Sequence, residues 1–172
     1  MTPKPITYVK ASPVALTADS SSEDAFVAII GACLRHAEAN QPAVLAGQTE
    51  GVHQMRVAFR RLRSGLRIFR PLIPREASTA RVEDIRWLNG FLGPARDWDV
   101  FLEEGMAPML AHFPRKRGLS LFRVRAETLR QTHQRSLREA LGDPRYQQLT
   151  GEFAAWLDDH AWREALDEEQ RE

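Results

Sequence analysis

Cysteine is almost missing from this 172-residue chain: Cys33 is the only one, so no disulfide framework can brace the fold. Set among Ile29, Ile30, Ala32 and Leu34, it reads as a reduced core thiol, not as a nucleophile or metal ligand. Long apolar runs are also lacking, and none approaches the roughly 20 residues that a membrane span needs. The N-terminus has no cationic stretch followed by a continuous apolar one, so it does not read as a secretory signal, and a cytoplasmic location with no membrane partner is expected. Alternating polar and apolar segments, and hairpin dipeptides between apolar runs, are scarce enough to exclude a sheet. No His-x-x-x-His or Glu-x-x-His ligand pair accompanies the carboxylates Asp97 and Asp99, so neither a metal site nor a resident cofactor is expected.

What remains is helical periodicity. The sequence predicts an all-α, antiparallel bundle of about six helices over residues 22–166, after an extended leader (1–21) and before a frayed acidic end (167–172). The first helix starts after Ser22 and breaks at Pro42. The second is closed by Pro71 and Pro74. A third begins near Ser78 and stops at Gly93-Pro94, where a fourth starts and carries Asp97 and Asp99. Pro108 and Pro114 bound a loose basic connection. The fifth spans about 119–141, and Gly142-Asp143-Pro144 stops it and opens a sixth with Tyr146, Leu149, Phe153 and Leu157 inward. The four tryptophans read as packing anchors, and His36, His112, His133 and His160 as ordinary core-edge or surface residues.

The net charge of +1 conceals segregation. Residues 51–75 carry seven cations and no acid, and residues 113–138 carry eight cations against Glu127 alone. Acid collects instead in 76–112 and 139–172. Within "VHQMRVAFRRLRSGLRIFR" (52–70), Val52, Met55, Phe59, Leu62, Leu66 and Phe69 form a core seam spaced 3, 4, 3, 4, 3. His53, Arg56, Arg60, Arg63, Arg67 and Arg70 repeat that spacing one residue later, so they form a row about 100° round the helix and about 25 Å long. Like charges four residues apart repel by a few tenths of a kcal/mol, and this helix face contains no acid to offset them. The bland explanation is a solvated face neutralised by neighbouring helices. A second acid-poor basic helix weighs against it, because solubility alone calls for mixed signs. The preference for arginine carries no weight, since the whole chain has only three lysines.

A polyanion is the natural counter-charge. Base readout needs polar or aromatic groups among the cations, whereas Phe59 and Phe69 lie on the core seam; nucleic acid is therefore not expected as a partner except through its phosphates. A plain row of cations suits a linear chain of phosphates.

The stretch "EGVHQMRVAFRRLRSGLRIFRPLIP", followed by "IRWLNGFLGPARDWDVFL", resembles the signature of the CHAD family, the conserved-histidine α-helical domain. The H-x-x-R-V-x-x-R-R-L-R pattern and the later L-G-x-x-R-D-x-D-V carry the likeness, and the leader is similar to segments that join such domains to a triphosphatase-type CYTH domain. The resemblance implies a non-enzymatic helical domain, built from two related halves around a basic channel, that binds inorganic polyphosphate. By that analogy His53, Arg56, Arg60 and Arg63 line the groove, Arg67 extends it, Arg86 and Arg96 contribute from the next two helices, and Asp97 and Asp99 orient the arginines. The alternatives are an accessory, substrate-recruiting module of a triphosphatase or polyphosphate-metabolising protein, and a non-specific nucleic-acid binder. The family's second basic helix is not matched after residue 119, so a homodimer that rebuilds the two-half bundle is expected.

Overall fold

The computed structural model describes residues 6–165. All its regular structure is helical: α1 (Ser22–Leu45), α2 (Thr49–Ile68), α3 (Arg75–Val100), α4 (Ala107–His112), α5 (Arg117–Gly142) and α6 (Pro144–Asp158), with 3-10 turns at Arg70–Leu72 and Ala161–Ala165 and a π-helical segment at Phe101–Met106. The fold class and helix number are those read from the sequence. The acidic end predicted at 167–172 lies outside the described residues.

α1 opens on a reciprocal cap. The Asp24 backbone N–H donates to Ser21 Oγ at 3.0 Å and the Ser21 N–H donates to Asp24 Oδ2 at 3.1 Å, which satisfies two of the helix's orphan donors. Pro42 does not break it. The helix runs on to Leu45 because Ala43 and Val44, both fully buried, gain more from packing than the missing hydrogen bond costs so near the end. Gly47, at φ +76°, then turns the chain, with Gly47 N–H donating to Val44 O and Gln48 N–H to Ala43 O, each at 2.9 Å. α2 returns along α1 at close range. A Cβ on Gly51 would lie 2.7 Å from that of Ala43, and one on Gly65 would lie 2.6 Å from Ile30 Cδ1.

The predicted stop at Gly93-Pro94 is also overturned. α3 begins at Arg75, three residues before Ser78, and passes through Pro94 to Val100. Ile85, Leu88, Leu92, Ala95 and Asp99 are all fully buried on one face, so tertiary packing holds the helix through the proline. Gly93 helps, because a preceding residue without a Cβ meets less of the proline ring. The π-helical segment and α4 then carry the rod on to His112, where a loose connection from Pro108 was predicted. Asp143 caps α6 as predicted, accepting from the Arg145 N–H at 2.8 Å, with Pro144 in the first turn.

α3 packs between α2 and α5, and α6 closes over α1, α3 and α5. The core centres on Phe26, whose ring meets Trp162 at 4.9 Å and Phe69 at 5.4 Å between centroids. Residues 6–17 carry no regular secondary structure and pass beside α1 as a strap, with a turn at Ala18–Asp19 before the helix begins. Asn40, fully buried, clips it: the Val9 N–H donates to Oδ1 and Nδ2 donates to Val9 O, both at 2.9 Å, while His36 Nε2 approaches the same carbonyl at 3.0 Å.

Candidate polyanion-binding face

The seam-and-row pattern of α2 is realised in the fold. Val52, Met55, Phe59, Leu62 and Leu66 are buried, and that burial turns His53, Arg56, Arg60, Arg63 and Arg67 away from the core. His53 and Arg56 are half-buried, and Arg60, Arg63 and Arg67 are exposed. Among the described residues, Arg56 alone of the α2 arginines has a carboxylate within 4 Å: its Nη2 stands 3.9 Å from Asp97 Oδ1. The Arg56 Nε is buried without a hydrogen-bond partner.

The row faces two flanks. Arg56 leans towards α3, whereas Arg60 lines an open cavity of about 420 Å³ with Arg61, Ser64 and the strap residues Ala11, Ser12 and Val14. Arg86 is exposed on α3, and Arg96 is mostly buried, with Nη1 3.9 Å from Glu103 Oε2.

The two aspartates have separate surroundings. Asp97 is 73% exposed and lies beside the α2 row. Asp99, two residues on, is fully buried and turns to α5. Its Oδ1 accepts from Arg130 Nε at 2.7 Å, and Gln134 Nε2 donates to both its oxygens at 3.0 and 3.1 Å. Arg130 Nη1 also donates to Glu127 Oε1 at 3.0 Å. The hydrogen bond to Asp99 holds the Arg130 guanidinium even more firmly protonated than usual.

Sequence reasoning singled out Asp99 but not its partners Arg130 and Gln134. A signal existed: Asp99 continues the Ile85, Leu88, Leu92, Ala95 seam, and Gln134 falls on the Ala126, Leu137, Leu141 seam. Two polar residues on facing seams call for each other. The second basic helix is otherwise outward-facing, with Arg117, Arg123, Arg125 and Arg135 exposed.

Among the described residues, no three His, Cys, Asp or Glu side chains gather to hold a metal, and no helix is long and apolar enough to cross a membrane. No curated protein sequence matches the chain. The crystal structure of the CHAD domain from the plant Ricinus communis is similar to it, with a TM-score of 0.79 and 36% identity over 94% of this chain and 53% of the plant one. The chain thus spans about half the length of that relative. The family model of the CHAD domain matches residues 28–172, most of the all-helical chain and both stretches that bear the signature, and the protein is accordingly a member of the CHAD domain family.

Proposed function

We propose that this CHAD domain binds inorganic polyphosphate along the cationic face of α2 and performs no chemistry on it. The observation that carries this reading is the row itself. Arg60, Arg63 and Arg67 are exposed and, among the described residues, have no carboxylate within 4 Å, so their repulsion is left for an external anion to relieve. Guanidinium groups suit the task because each can hold two phosphate oxygens at once. His53, at the head of the row, donates from both ring nitrogens when protonated beside phosphate. Arg86 and Arg96 extend the face from α3, and Asp97 keeps Arg56 in place between ligands. The setting we infer is cytoplasmic.

The exposed apolar residues Met109 on α4, Phe113 just after it, and Leu121 and Val124 on the first half of α5 support the further reading that a second copy packs there. Light scattering at micromolar concentration should then find a dimer; a monomer there would refute the self-association alone.

The direct test is titration of long-chain polyphosphate, tripolyphosphate and duplex DNA at two salt concentrations, with wild type and an Arg56→Ala/Arg60→Ala double variant. Tight, salt-sensitive binding of the long chain, lost in the variant, is the expected result. Equal binding of DNA, or no loss in the variant, would reduce the row to a general charged face.

A further inference from the structure

Asp99 sits where a leucine belongs. Its seam neighbours Ile85, Leu88, Leu92 and Ala95 are all fully buried, and so is its carboxylate. A buried ion pair gives a fold little that well-packed apolar side chains of similar volume would not, and often costs stability by comparison. Stability therefore does not explain the group. Its effect on Arg130 does.

Asp99 and Gln134 fix one edge of that guanidinium from inside the core, through Nε at 2.7 Å and through Gln134 Nε2, which grips both carboxylate oxygens. The Gln134 Oε1 is left buried with no partner, so the amide serves the carboxylate at some cost to itself. Arg130 is 26% exposed; the guanidinium passes from core to surface and offers its outer nitrogens there. Lysine could not do this, because a compact ammonium has no second edge to present.

Three cations from three helices meet carboxylates close together along the chain: Arg56 of α2 at Asp97 on one side of α3, Arg130 of α5 at Asp99 on the other, and Arg96 of α3 at Glu103 in the π-helical segment. Asp97 and Glu103 are well exposed and stand a loose 3.9 Å from their arginines. Glu127, Arg130's outer partner, is partly exposed. These carboxylates can yield to phosphate, whereas Asp99 cannot.

We propose that Arg130 is a further phosphate-binding residue, the contribution of α5 to the polyanion face, and that Asp99 and Gln134 are positioning residues that hold its guanidinium with the outer edge presented. This rests on the polyphosphate reading above. Glu127 occupies the phosphate position until the ligand displaces it.

The experiment is calorimetric titration of long-chain polyphosphate over a series of salt concentrations, with thermal melts of every variant. Arg130→Gln should weaken binding about tenfold, as loss of a charge-assisted hydrogen bond does, and should lower the slope of log K against log salt by about 0.7–0.9, one phosphate's worth on the nucleic-acid scale. Arg130→Lys should keep the slope and still lose affinity. Glu127→Gln, which leaves the core untouched, should tighten binding. A purely structural role would lower melting temperatures and leave slopes alone. Wild-type affinity and slope in folded Arg130→Lys or Arg130→Gln, or unchanged binding in Glu127→Gln, would overturn the proposal. If Arg60→Ala/Arg63→Ala still abolishes binding in that case, the polyphosphate reading survives; if wild type itself binds no polyphosphate, both fall.

Discussion

Three glycines divide the helices into positions that gain and lose from the same added methyl group. At Gly90, inside α3, a Cβ would meet nothing within 4 Å, so Gly90→Ala should recover most of the helix-propensity difference, about 0.8 kcal/mol. For a domain of this size that raises the melting temperature by about 2–3 °C. Gly93→Ala enters equally open space, but the residue precedes Pro94, whose ring disfavours a helical neighbour with a Cβ. The two effects oppose, and the substitution should be neutral or destabilising. Gly65→Ala drives a methyl to 2.6 Å from Ile30 Cδ1 at the α1–α2 contact and should cost about 1–3 kcal/mol, the usual penalty of overpacking. Urea melts of the three variants, followed by circular dichroism, give the order Gly90→Ala above wild type, Gly93→Ala at or below it, and Gly65→Ala lowest. Equal stabilisation by Gly93→Ala and Gly90→Ala would refute the account of how α3 passes through its proline.

Two further outcomes follow from ionisable groups. Arg163 hydrogen-bonds Glu23, and His160 adds a contact at 3.0 Å, so the carboxyl titrates near 2 instead of about 4.5; its contribution to stability is present above the unfolded value and is lost as pH falls from about 4.5 towards 2. Glu23→Gln should lower neutral-pH stability by up to about 1 kcal/mol, the range of partly exposed pairs, and flatten that acid limb of a pH–stability curve. An unchanged limb would remove Glu23 as its cause. Burial pushes the Cys33 thiol up, so a disulfide reagent at pH 8 should modify it slowly in the folded protein and at the free-thiol rate in denaturant; fast modification of the native state would contradict a core position.

The α2 pattern was legible because a single helix carries both its seam and its row, and a spacing of 3, 4, 3, 4, 3 fixes their relative direction without tertiary information. The grammar at Asp143-Pro144 was legible for the same reason: capping is local. Gly93-Pro94 and Pro42 misled because their local preference to stop was outweighed by the burial of Leu92, Ala95, Ala43 and Val44, which depends on helices far away in sequence. The Asp99, Arg130 and Gln134 grouping joins residues more than 30 positions apart; each segment shows a polar residue on its own seam, but periodicity does not say which helix answers it. The strap escaped notice because its partner, Asn40, resembles any polar residue near a helix end. Arg60's place beside the strap, rather than facing α3, likewise depends on a segment with no periodicity to read.

That strap has one further consequence. Asn40 and His36 grip the backbone N–H and C=O of Val9 and leave the residue 43% exposed, so the hold specifies a register and not a residue type. Any amino acid with a backbone N–H can occupy position 9; proline, which has none, cannot. The strap can therefore drift in sequence here while its course along α1 is kept, and Gln48 Nε2, donating to Ile6 O at 2.7 Å, adds a second hold on the main chain alone. Both holds work as a cleat does on a rope: they fix where the chain runs and are indifferent to the side chains it carries.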